Sequence, residues 1–199
     1  MFFSEGKKRY IHTTLDPQND TAVAEKYCSL HSQAVQGALN HWADLGPEPC
    51  LALIILLDRF SLQLYRGKAY GFDLSLTLAV PLCEKAIEKG YDLALDTEGR
   101  LRCYLPLLNA ESLNEQERSR ELYARLAADR PTVLTKWMAH TAESRCRTLK
   151  EYGRFPERNL VYGRTSTGEE IRYLLATSKE KGLHDDPVVL DCSGSLIYK

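Results

Sequence analysis

The chain has 199 residues, enough for one sizeable core and within the roughly 100–200 residues usual for a single domain. Apolar residues make up 44% and charged residues 27%, ordinary values for a soluble globular protein. The formal net charge of -1 implies no strong field, so nucleic acid and anionic membrane are poor default partners.

The opening MFFSEGKKRY lacks an apolar h-region, so no signal peptide is expected. The longest aliphatic run, Leu51 to Leu57, falls far short of the roughly 20 residues that a bilayer span needs. A cytoplasmic protein is the expectation. The cysteines, Cys28, Cys50, Cys83, Cys103, Cys146 and Cys192, are scattered with no C-x-x-C pair. That spacing argues against structural zinc and for reduced, mostly buried thiols.

Residues 1–18 carry Pro17 and read as a loosely held segment. A single helical domain is expected over 19–181, and an irregular tail over 182–199. Asn19 or Asp20 can cap a first helix running to about Leu45, with Ala24, Tyr27, Leu30, Ala34, Ala38 and Trp42 on one face. Gly46 and Pro47 should stop it.

The next helix, about Pro47 to Arg66, contains LALIILLDRFSLQLYR and is apolar nearly all round, the mark of a buried helix. A third runs from about Ala69 to Lys89, with Pro81 expected to kink or split it. Short helical pieces are predicted between 91 and 110, where Gly99 and Pro106 interrupt the pattern. Ser112 or Asn114 should cap a charged amphipathic helix, NEQERSRELYARLAADR. Pro131 opens another, through about Tyr152, and Gly153 ends it. Ser166 with Glu169, and Thr167 with Glu170, have capping-box spacing ahead of a last helix, Gly168 to about Lys181. Long helices joined by short loops argue for an all-α fold of antiparallel hairpins.

Three segments then carry a resemblance: LALIILLDRFSLQLYRG, YLPLLNAESLNEQ and HTAESRCRTLKEYGRFPERNLVYGRTSTGEE. They resemble domain-of-unknown-function family 924, a mostly bacterial family, from about Ala34 to Ala176. The resemblance implies helical hairpins in a tetratricopeptide-like superhelical array, and little about function. The chain departs from the family pattern in three places. The Trp-Phe element that relatives usually show near their start is not found in residues 1–20. Relatives usually carry a Glu-His-Ser-Glu run where this chain has Leu108-Asn109-Ala110-Glu111. They often have Gln after the helical Asp, and Pro-Arg-Asn after the Phe; here Arg59 and Ser61-Leu62-Gln63 stand there.

Asp58 closes the apolar run, and a buried carboxylate must be paired or hydrogen-bonded. Arg154, Arg158 and Arg164 are the obvious donors, either as a pocket or as an ion pair that docks the GRFPERN loop. His140, with Asp58 or Glu111 nearby, is a candidate general base, although a lone helical histidine is more often structural. Arg154, Arg158, Asn159 and Arg164 lead into a helix N-terminus and could hold a carboxylate or phosphate, with Tyr65 and Arg66 beside them. Glu169 and Glu170 would occupy or repel such a site. No metal set, nucleophile elbow or phosphate-cradling glycine motif is present, so no metal or cofactor is assigned.

Three functional readings are open. The first is binding of a small anionic ligand or peptide between the central helix and the arginine-rich loop. The second is a metal-independent enzyme using Asp58 and His140 for acid–base chemistry on a small anionic substrate. The third is a self-associating structural protein.

Overall fold

The computed structural model describes residues 17–180, 189–190 and 196–197, with side chains over 26–177. The fold is all-α, apart from a two-residue antiparallel ladder in which Val189 pairs with Ile197 and Leu190 with Leu196. That ladder lies in the tail expected to be irregular; the rest of the tail and residues 1–16 lie outside the described residues.

The first helix, Pro17–Val35, ends ten residues earlier than its apolar face suggested. Gly37 takes φ 82, a left-handed turn favouring glycine, and a 3-10 turn, Asn40–Asp44, carries Trp42 onto the core. The central helix then starts at Pro47, with the proline in the first turn where its missing N–H costs nothing. It runs as Pro47–Ile55, a π turn Leu56–Phe60, and Ser61–Leu64. Its Leu51, Leu53, Ile54, Leu56 and Leu57 are all buried. Burying one such side chain is worth about 1.5–3 kcal/mol, so this helix anchors the core.

The partner helix runs as Ala69–Leu74, a second π turn Ser75–Ala79, and Val80–Glu88. Pro81 neither ends nor splits it. Proline lacks an N–H and crowds the carbonyl four residues back, here Thr77, and the widened π turn lies at that point. The two π turns pack against each other. Beside them, Gly71 permits the close approach of Ala69–Leu74 to Ser61–Leu64: a Cβ there would sit 2.8 Å from the Ser61 carbonyl oxygen.

Three short helices follow, Tyr91–Ala94, Thr97–Cys103 and Leu105–Asn109, where short pieces were predicted. Leu113–Asp129 and Val133–Tyr152 then form an antiparallel hairpin with Tyr123, Leu126 and Ala142 fully buried between it and the core. Ser112, not Asn114, stands at the first cap. Thr132 and Thr135 form a capping box at the second helix. The short helices interrupt any run of equal pairs, so a tetratricopeptide-like superhelix stays an expectation. Gly153, φ 69, turns the chain out of the hairpin into the 153–167 loop. The last helix, Gly168–Glu180, closes over that loop. Among the described residues, Cys50, Cys83, Cys103 and Cys146 are buried free thiols and Cys28 is exposed.

Candidate functional site

Asp58 sits inside the first π turn and is 2% exposed. Its partners come from two other elements, and neither is an arginine. Ser75, at the start of the second π turn, donates its hydroxyl to Oδ1 at 2.5 Å. The Asn109 side-chain amide donates to Oδ1 at 3.2 Å and to Oδ2 at 3.3 Å. Burial pushes the Asp58 carboxyl above the usual carboxylate range, and the Ser75 and Asn109 hydrogen bonds oppose that push without reversing it. The fields of Arg59 and Arg158 oppose the push as well.

The arginine-rich loop meets this carboxyl through Asn109. Arg158 donates from Nη2 to the Asn109 carbonyl oxygen at 2.8 Å, so one residue contacts Asp58 with its side chain and Arg158 with its backbone. The Arg158 guanidinium lies 4.1 Å from the Phe72 ring centre and 4.7 Å from that of Phe155. Aromatic faces accept a desolvated guanidinium well. Arg158 is 5% exposed, and burial lowers its pKa to about 10, so it stays a cation at neutral pH. Arg145, from the hairpin, stacks 4.0 Å from the Phe155 ring centre, donates from Nε to the Leu108 carbonyl and pairs with Glu157 at 3.4 Å.

Glu111 is the hub of the loop. It accepts two bonds from Arg164, at 2.7 and 3.3 Å, and one from the Phe155 backbone N–H at 3.0 Å. Arg158 approaches the same carboxylate at 3.9 Å. Arg154 and Glu170 make a second centre, with Nε to Oε1 at 2.6 Å and Nη2 to Oε2 at 2.9 Å. Asn159 donates to Glu170 at 3.2 Å and to the Ser166 hydroxyl at 3.0 Å. Thr167 and Glu170 complete the capping box, with the Thr167 N–H on Glu170 Oε2 at 2.7 Å and the Glu170 N–H on the Thr167 hydroxyl at 3.2 Å. The N-terminus of the last helix is therefore filled by its own glutamate.

The structure brings Asp58, Arg158 and Asn109 together, and gathers Arg154, Asn159 and Arg164 on Glu111 and Glu170. It does not bring His140 to them: that side chain is exposed on the hairpin and makes no hydrogen bond or ion pair among the described residues. Tyr65 and Arg66 lie at the far end of the central helix. Tyr65 packs 5.9 Å from His31 and 4.8 Å from Tyr70, ring centre to ring centre. His31 is buried and shares a 2.8 Å hydrogen bond with Ser61. No group of three or more His, Cys, Asp or Glu side chains among the described residues is placed to hold a metal.

Sequence reasoning missed Ser75, Asn109 and the hub role of Glu111. One signal was available: Asn109 and Glu111 fall in the run where the chain departs from the resembled family, Asn109 at the place of its His. Ser75 carried no signal, because α-helical spacing does not anticipate a π turn.

No curated protein matches the chain. Among solved structures, it is similar to a protein of unknown function from Agrobacterium tumefaciens, at 31% identity and TM-score 0.74, over 85% of this chain and 89% of that one. The Asp58 seam, the hairpin and the loop all lie inside residues 2–178, which match a family model described as a bacterial protein of unknown function. The chain is a member of that family, DUF924.

Proposed function

We propose that this protein binds a small anionic ligand at the seam where the 153–167 loop meets the central and partner helices. The observation that carries this reading is an excess of guanidinium over carboxylate. Arg145, Arg154, Arg158 and Arg164 are set among Glu111, Glu157 and Glu170, and the fourth acid, Asp58, is driven toward its neutral form by burial. Two donors in this group, Arg145 Nη2 and Arg164 Nε, are buried and have no acceptor, and two acceptors, Glu157 Oε2 and Asn159 Oδ1, are buried and have no donor. Planar guanidinium groups suit carboxylate and phosphate oxygens, which would take up both the charge and the idle N–H groups. The ligand sits on the Glu111 side of the loop, since Glu170 fills the helix N-terminus. Acid–base catalysis by Asp58 with His140 gains no support from the placement of His140.

Calorimetric titration with sulfate, inorganic phosphate and succinate tests the reading. At least one should bind, and Arg164→Gln should weaken that binding by about tenfold, the usual effect of losing one charge-assisted contact. No binding by any of the three, or binding that Arg164→Gln leaves unchanged, would overturn it.

A further inference from the structure

We infer that a second face, at the C-terminal end of the central helix, binds single-stranded nucleic acid, with Tyr70 as a stacking platform and Lys68 as a phosphate contact. The face is built on the run Tyr65-Arg66-Gly67-Lys68-Ala69-Tyr70, which joins the central helix to its partner. Gly67 takes φ 70, so two cations are set in a tight turn between two tyrosines. Gly71 lets the two helices close up, and the Tyr65 and Tyr70 rings meet edge to face, 4.8 Å apart and at 81°. Such a contact does not stack one ring on the other, and Tyr70 remains 49% exposed.

The platform is fixed from below. Tyr65 lies 5.9 Å from the His31 ring, and buried His31 is tied to Ser61 by a 2.8 Å hydrogen bond. Tyr27 of the first helix packs 5.0 Å from Phe60, ring centre to ring centre. The first helix, the end of the central helix and the start of the partner helix are thereby packed into one unit.

The charge of this unit has one sign. Residues 26–43 and 59–72 contain Lys26, Arg59, Arg66 and Lys68 and no aspartate or glutamate, an asymmetry that the formal net charge of -1 for the whole chain hides. The next acid along the chain, Asp73, accepts the Tyr162 hydroxyl of the 153–167 loop at 3.0 Å. Lys68 is exposed, and so is Lys26, whose Nζ lies 5.1 Å from the Tyr27 ring centre. Cations beside an exposed ring are what a single strand needs: phosphates take up the charge and a base stacks on the ring, whatever the sequence. A lipid surface fits less well. Among residues 26–43 and 59–72, Tyr70 is the one large hydrophobic side chain that is exposed, so no aliphatic group is there to enter an acyl layer. An acidic protein segment would engage the lysines and leave the ring idle.

Fluorescence anisotropy with labelled oligothymidylate and oligouridylate of about 12 nucleotides tests the inference, a length within the site sizes of single-strand binders. At least one should bind at low salt, with log affinity falling by about 0.7 per log unit of salt for each phosphate contact. Tyr70→Ala should weaken binding about tenfold, the loss of one stacked base, whereas Tyr70→Phe keeps the ring and should bind as the wild type does. Lys68→Gln, at an exposed position that folding does not need, should lower the salt slope by about 0.7. Failure of both strands to bind at low salt overturns the inference, and so does binding that Tyr70→Ala leaves unchanged. Polyglutamate or phosphatidylglycerol vesicles that bind as tightly as the strands would make the face a general attractor of anions and equally overturn it.

Discussion

Asp58 and Glu170 each expose only 2% of their surface, but Asp58 lies deep in the core and Glu170 just beneath the surface, and burial wins at one and loses at the other. At Glu170 the bidentate Arg154, one backbone N–H and the Asn159 amide hold the carboxyl below its ordinary range, with Arg154 the largest influence. At Asp58 the donors are a hydroxyl and an amide, and burial keeps the carboxyl above it. The difference shows that a paired cation and a shallow position together keep one acid ionised, while depth without a paired cation drives the other toward its neutral form. It also separates two jobs. Glu170 locks the last helix to the loop, while Asp58 is kept in a place where ionising costs stability.

Breaking the Glu170 side should have the largest effect. Arg154→Met leaves a buried glutamate without its counter-ion and should destabilise the protein by about 3 kcal/mol, the low end for a buried pair because Arg154 is 28% exposed. Urea unfolding measures this. The pH dependence has a definite sign. The folded pKa of Glu170 lies below the unfolded value of about 4.3, so its contribution is present above that value and lost as pH falls through the folded one. Wild type and variant should therefore converge in stability under acid.

A smaller effect is expected where Ala69–Leu74 meets Ser61–Leu64, next to the π turns. In Gly71→Ala the new Cβ would lie 2.8 Å from the Ser61 carbonyl oxygen and 3.3 Å from the Tyr65 Cβ. Overpacking costs about 1–3 kcal/mol, against a gain of up to about 1 kcal/mol in helix propensity. A net loss of about 2 kcal/mol should follow, because the closest obstacle is backbone and cannot swing away. A thermal melt in which Gly71→Ala matches or exceeds the wild type would show that the helices can part freely at this point.

The same contrast explains what could be read in the sequence. The apolar run Leu51–Leu57 and the Gly and Pro punctuation gave the helix order, because burial and turn chemistry are local signals. Thr167 with Glu170 could be read as a capping box for the same reason. The partners of Asp58 could not. Ser75 lies 17 positions away and reaches the carboxyl from the second π turn, which shifts the α-helical register; Asn109 lies 51 away and reaches it from the end of the short helix Leu105–Asn109. The loop arginines were legible as a group, but their division between Glu111 and Glu170 depends on how the last helix folds back. His140 looked catalytic from its place in the chain, and tertiary packing turned it to solvent.

Neutralising the Asp58 side should give the smallest change and the opposite sign. The folded pKa of Asp58 lies above the unfolded value of about 3.9, so its favourable contribution is complete below that value and lost as pH rises through the folded one. Asp58→Asn removes the ionisation and keeps the size, and its amide can still pair with Ser75 and Asn109. The variant should match the wild type near pH 4 and become the more stable protein toward neutral pH. Urea unfolding across this range decides it. A variant less stable than wild type at neutral pH would mean that the ionised carboxylate is itself a structural anchor, in which case Asp58 and Glu170 do the same work. A more stable variant means the chain carries an acid that its fold does better without, as expected for a residue held for binding rather than for stability.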